Sequence, residues 1–169
     1  YGKLIGGGFP IGAFGGRAEL MDRLDMRGPA TGFHHSGTFS AHPVAMAAGL
    51  ATLRQMTPEA FATLDSLGQR LGDGLAEVAG RHALKLSPVV AGSLFSLYFA
   101  DRPPTCYRDL AACRRQWNPE LFGRLIERGY YLSHSLGMNA VSLAMEPSDI
   151  DGLVSAIDES LEAMAIDED

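Results

Sequence analysis

Phe61, Leu64, Leu67, Leu71, Leu75 and Val78 fall mostly three or four positions apart, the step that puts side chains on one face of a helix, and polar residues fill the intervening positions. Thr57 and Pro58 supply a cap and a first-turn proline, so the spacing predicts an amphipathic helix up to Gly80 with one wet face. The stretch 44–56 is different. Its alanines, leucines and methionines are apolar on nearly every side, which predicts a buried helix entered at Pro43, with Ser40 as a candidate cap. Further on, 83–90 and 93–100 carry the β-branched and aromatic residues of two strands joined through Ala91-Gly92. The prolines in 101–105 mark a loop, and 106–117 is polar and arginine-rich, a mobile helix or a stretch without structure. A helix over 119–128 ends at Gly129, short strands follow at 130–133 and 140–145, and 147–163 is an amphipathic helix capped near Ser148 or the residue before Pro147.

The segment before Pro43 carries little periodicity. Residues 1–17 are glycine-dense, which predicts a loop leading into a short strand around Gly12 to Gly15. One or two helical turns over 18–24 are then broken by Gly28-Pro29-Ala30-Thr31-Gly32. From residue 57 onward the order helix, strand, strand, helix, strand, strand, helix describes an α+β unit whose sheet is antiparallel at least in part. One strand and one buried helix cannot supply both sides of a core, so 1–56 is expected to need a partner segment or subunit.

Composition narrows the classes. With 169 residues, 46% of them hydrophobic, the chain is long and apolar enough for a globular core. The net charge is −6, and acids gather at the end in Asp158, Glu159, Glu162, Asp167, Glu168 and Asp169, so the expectation is a solvated helix end and no nucleic-acid partner. No run approaches the roughly 18 apolar residues of a membrane span, so no membrane partner is expected. Cys106 and Cys113 match neither a zinc pattern nor a disulfide framework, which suits a cytoplasmic protein. A start at Tyr1 without methionine leads us to expect a missing N-terminal segment.

Lys3 is one of two lysines, with Lys85, in a chain that otherwise writes its basic residues as arginine, and glycines follow it closely. An amine forms imines and a guanidinium does not, so Lys3 is the first candidate for covalent chemistry on a planar aldehyde cofactor. The bland alternative is a surface lysine beside a loop. Nucleotide binding is disfavoured, because residues 2–16 contain no G-x-G-x-x-G and the lysine precedes the glycines. A second constellation is Ser36-Gly37-Thr38-Phe39-Ser40-Ala41-His42-Pro43, where a hydroxyl and backbone amides just before a helix suit either a phosphate or an ordinary cap. His34, His35 and His42 lack carboxylate or cysteine partners at metal-ligand spacing, so loop histidines are expected and no metal. His134 with Ser133 and Ser135 lacks a nucleophile elbow, and Arg114-Arg115 beside Trp117 is expected to be a solvated face.

The segment from Gly2-Lys3-Leu4-Ile5-Gly6-Gly7-Gly8-Phe9-Pro10 through Arg17 resembles the active-site lysine segment of the class III pyridoxal-phosphate aminotransferases, nearest in spelling to the glutamate-1-semialdehyde 2,1-aminomutase branch. Gly37-Thr38-Phe39-Ser40-Ala41-His42-Pro43 resembles the segment that follows in that family, in the same order, although the family usually has Gly-Asn where this chain has Ala41-His42. The resemblance implies the C-terminal part of a fold-type I PLP-dependent transferase, an α/β fold with a small α+β C-terminal domain. Residues 1–56 would end the large pyridoxal-phosphate-binding domain, including an interdomain helix, and 57–169 would form the small domain. Lys3 would hold pyridoxal 5'-phosphate as a Schiff base and shuttle a proton. Gly37 and Thr38 would reach the phosphate across the interface of a homodimer.

The implied function is amino-group transfer or intramolecular amino migration, with a small-molecule amino donor or amino-aldehyde as substrate. In the family the carboxylate that pairs the pyridine nitrogen, the stacking aromatic and a serine/glycine phosphate loop lie upstream of the lysine, so the isolated segment is expected to be inactive. Some relatives acting on β-amino acids carry an arginine near the last strands, and 135–139 has none. A transaminase for another amino acid or amino sugar, and a non-catalytic binding or assembly module, are the alternatives.

Overall fold

The structure, a computed structural model, describes residues 1–25, 27 and 33–166. The expected helix break at Gly28-Pro29-Ala30-Thr31-Gly32 and the acidic end at Asp167, Glu168 and Asp169 lie outside the described residues. The chain divides into two units, Tyr1–Pro58 and Glu59–Asp169.

The first unit begins with a single 3-10 turn, Lys3–Gly6, closed by Gly7 in the left-handed region (φ 57°), whose N–H donates to the Leu4 carbonyl. The strand expected around Gly12 to Gly15 is not formed. Ala13 and Tyr1 exchange a pair of backbone bonds, the Ala13 N–H to the Tyr1 carbonyl at 3.0 Å and the Tyr1 nitrogen to the Ala13 carbonyl at 2.6 Å, but among the described residues no further pair extends this into a ladder. Helix α1 (Ala18–Met21) and a 3-10 turn (Asp22–Leu24) match the expected helical turns.

Helix α2 (Pro43–Gln55) has proline in its first turn as predicted, but Ser40 does not cap it. His42 does, with Nδ1 accepting from the Ala45 N–H at 3.4 Å, because Ser40 sits two residues too early in a turn closed by its own N–H on the Gly37 carbonyl. Nor is α2 buried all round: Ala45 and Gly49 are buried, while Val44, Met46, Leu50 and Leu53 are each about half exposed. The reason is that buried residues of this unit, among those described, are Gly6, Ala45 and Gly49, too few to form a second apolar layer.

The second unit opens on α3 (Pro58–Arg81), whose Leu64, Leu67, Leu71, Leu75 and Val78 are buried as the spacing predicts, while Phe61 is 53% exposed, lying in the first turn beyond the packed stretch. Strands β1 (Leu86–Ala91) and β2 (Leu94–Phe99) pair antiparallel from Leu86 opposite Phe99 to Ala91 opposite Leu94, so Gly92 and Ser93 make a two-residue turn with Gly92 at φ 56°. Phe95, Leu97 and Phe99 alternate into the core. The arginine-rich stretch is ordered as α4 (Tyr107–Ala111) and a 3-10 turn, Arg115–Trp117. Arg115 is exposed and Arg114 is partly so, but Arg114 is also held: its backbone N–H donates to the Phe99 carbonyl, and its guanidinium lies 5.5 Å from the Trp117 ring centre and pairs with Asp101.

Helix α5 (Asn118–Glu127) ends ahead of Gly129 at φ 86°. The expected strand at 130–133 does not pair; Ser133 instead donates its N–H to the buried Asn139 side chain at 2.7 Å. Of 140–145, only its first residue joins the sheet, in β3 (Asn139–Ala140), which pairs antiparallel with β2, because a turn closed by the Met145 N–H on the Ser142 carbonyl bends the chain away. Helix α6 (Pro147–Ile166) follows, with Glu146 as the residue before its first-turn proline and the Glu146 N–H bonded to the Asp149 carboxylate at 2.8 Å. Leu71 and Leu75 of α3, Leu97 of β2, Leu121 of α5 and Leu161 of α6 are fully buried, each contributing about 1.5–3 kcal/mol. Arg70 donates from Nε and Nη2 to the two Asp151 carboxylate oxygens, at 2.5 and 2.6 Å, tying α3 to α6.

Candidate active site

Lys3 stands at the head of the 3-10 turn with φ 53°, in the left-handed region that a side chain occupies at a cost of roughly 1–2 kcal/mol. Its side chain is exposed. Such strain persists where the surroundings over-determine it, and non-glycine residues in this region concentrate at functional sites. Gly7 (φ 57°) and Gly8 (φ 91°) follow, and the loop borders a broad, shallow depression of about 690 Å³, lined by Lys3, Gly7, Gly8, Phe9 and Ile11 with Thr52 of α2. A Cβ on Gly8 would meet nothing within 4 Å, so the loop presents bare backbone to open space. An exposed primary amine beside bare backbone fits a planar aldehyde.

Gly37 and Thr38 are exposed in a turn that the Ser40 N–H closes on the Gly37 carbonyl at 2.9 Å. Among the described residues, the Thr38 hydroxyl and the amides of Thr38 and Phe39 have no hydrogen-bond partner, so they form a donor set suited to phosphate oxygens. The turn precedes α2 rather than forming its first turn, and neither Gly37 nor Thr38 lines the Lys3 depression. Ala41 takes φ 52° just before the cap, at the position where glycine would be unstrained.

Thr52 escapes a reading of the sequence, since it sits mid-helix among apolar residues. Its hydroxyl on an otherwise apolar run, 44–53, is the available signal. The histidines behave as loop and cap residues: His35 meets Phe14 edge to face at 4.9 Å, His42 caps α2, and His134 packs on Phe122 at 5.7 Å. Among the described residues no cluster could hold a metal ion, and no helix is long and apolar enough to cross a membrane.

Over residues 1–153 the chain matches the family model for class-III aminotransferases. It is 36% identical over 160 residues to the glutamate-1-semialdehyde 2,1-aminomutase of Dechloromonas aromatica (strain RCB), an alignment covering 94% of this chain and 37% of that protein. Among solved structures it resembles a β-phenylalanine aminotransferase from Variovorax paradoxus, with a TM-score of 0.88 and 35% identity over 98% of this chain and 38% of that one. It also resembles a transaminase solved with pyridoxal phosphate bound, with a TM-score of 0.79 and 32% identity over 96% of this chain and 37% of that one. The chain thus spans a little over a third of the length of these relatives. Its fold is that of part of a fold-type I transferase, helix and sheet mixed as in those neighbours. The chain belongs to the class-III aminotransferases, an enzyme family whose cofactor is pyridoxal phosphate.

Proposed function

We propose that this chain supplies the reactive lysine and part of the cofactor cradle for amino-group transfer, as a glutamate-1-semialdehyde 2,1-aminomutase or a closely related aminotransferase. The observation that carries the reading is Lys3 itself: an exposed amine held in a strained left-handed conformation at the edge of a shallow depression that Gly7 and Gly8 help to line. Bound pyridoxal phosphate supplies the electron sink for charge developing on the substrate carbon. Lys3 Nζ would be the amine that holds the cofactor's aldehyde group and, when free, the base that takes up the proton leaving the substrate's amine-bearing carbon. Gly37 and Thr38 bind phosphate oxygens through the free hydroxyl and amides, serving the other subunit of a homodimer. In this reading 1–56 ends the large cofactor-binding domain, 57–169 is the small domain, and the protein works in the cytoplasm.

The test uses the full-length polypeptide. Borohydride reduction fixes the cofactor on the peptide containing Lys3, and Lys3→Ala abolishes that adduct and lowers amino transfer by at least about 100-fold. A colourless protein that takes up no pyridoxal phosphate, or an adduct on another lysine, refutes the assignment. The second reading, a transaminase for another amino acid, is favoured by the likeness to the Variovorax enzyme. Conversion of the semialdehyde without a keto-acid acceptor supports the mutase, and a requirement for the acceptor supports the transaminase.

A further inference from the structure

We infer that Gly49, with Gly7 opposite it, is a positioning residue for Lys3: the two glycines form a backbone seat that locks the lysine turn onto α2. This rests on the assignment of Lys3 as the reactive amine and deepens it. At these two glycines the turn and the helix meet backbone to backbone. A Cβ on Gly49 would collide with the backbone carbonyl of Ile5 and come within 3.6 Å of the Gly6 Cα. From the other side, a Cβ on Gly7 would stand 2.5 Å from the Ala48 carbonyl oxygen and 2.9 Å from Thr52 Oγ1. The Thr52 hydroxyl is itself fixed, donating to the Ala48 carbonyl at 3.0 Å. Gly49 is buried one helical turn beyond buried Ala45, so this stripe of α2 is the surface on which the turn rests.

The consequence reaches Lys3 because the turn is short. Lys3 lies two residues before Ile5, and the Gly7 N–H closes the turn on Leu4 at 3.0 Å. Any displacement of Ile5 therefore moves the backbone from which Nζ is carried, and relaxes the left-handed φ of Lys3. Both colliding partners are backbone atoms, which cannot swing aside as a flexible side chain does. Even the smallest side chain at position 49 must lift the turn. A displacement of about 1 Å at a reacting group lowers rate by roughly 100-fold.

The experiment compares full-length wild type, Gly49→Ala and Gly123→Ala, the last a control in α5 whose added Cβ meets nothing within 4 Å. Three readouts are taken: exchange of the Gly7 amide hydrogen in the cofactor-free protein, the pH midpoint of the bound cofactor's absorbance, and kcat with KM. For Gly49→Ala we expect faster Gly7 exchange, a midpoint moved by roughly one pH unit, a tenfold change in proton affinity, and kcat lower by about 10- to 100-fold with KM for the amino donor nearly unchanged. Gly123→Ala matches wild type in all three. A glycine needed only for stability would lower Tm and leave the midpoint in place. The inference is overturned if folded Gly49→Ala keeps wild-type exchange, midpoint and kcat. Should Gly49→Ala fail to fold, Thr52→Ala loosens the same seat without a collision and must give the same changes at smaller size; wild-type behaviour there overturns the inference. If borohydride shows no cofactor on Lys3, the functional assignment fails, while Gly7 exchange in the cofactor-free proteins still decides whether the seat exists.

Discussion

Among the described residues, four non-glycines stand in the left-handed region, Lys3, Ala41, Leu136 and Met138, and the first two lie in or beside the segments proposed for the cofactor. Lys3 stands out as a candidate from the chain alone, because it is one of two amines among arginines, and glycines follow it closely. Its conformation is not, since nothing in a lysine's identity predicts a positive φ. Thr52 is hidden for a related reason: a threonine inside an apolar helix reads as filler until the loop opposite it is known. Charge at single residues also carries a consequence. Arg70 holds the Asp151 carboxyl below the usual carboxylate range, chiefly by hydrogen bonding. A depressed folded-state value means the pair stabilises above the unfolded value of about 4 and that its contribution is lost as pH falls through the lower, folded value. Because both side chains are about half exposed, the effect is small. Thermal unfolding followed by circular dichroism should show Arg70→Met melting below wild type at neutral pH, with the two curves converging under acid; parallel curves would count against the pairing.

Among the elements, α3 and α6 are readable nearly to their ends, and α2 is readable in extent but not in environment. Long helices announce themselves because periodicity accumulates over many residues, whereas 130–133 and 140–145 offer only a few apolar residues each, and strand pairing depends on what lies beside them. The same contrast shows in the glycines of α3. A Cβ at Gly68 would collide with the Gly92 carbonyl in the β1–β2 turn, and a Cβ at Gly80 would meet nothing within 4 Å. Gly68→Ala is therefore expected to destabilise by about 1–3 kcal/mol despite better helix propensity, and Gly80→Ala to stabilise by up to ~1 kcal/mol. Urea unfolding of the two variants measures both, and equal stabilisation would mean that α3 does not rest on that turn.

At the scale of the molecule, nearly every buried apolar side chain belongs to the second unit, and Ala45 alone represents the first among the buried hydrophobic residues described. Residues 59–169 expressed alone should unfold cooperatively with heat, and residues 1–58 alone should not; a cooperative transition in the shorter piece would show a core that the burial pattern lacks. Local order is readable from the chain. Helix faces, the hairpin at Gly92, the first-turn prolines and the kinship of the lysine loop all rest on residues close in sequence, where side-chain spacing and backbone preference act directly. The seat of Ile5 on Gly49, the cap at His42, the bare face of α2 and the truncation of the last strands rest instead on contacts or their lack between segments brought together by folding. Close packing between distant segments leaves no period in the chain, so the candidate lysine can be singled out from its neighbours while the helix surface on which its turn packs cannot.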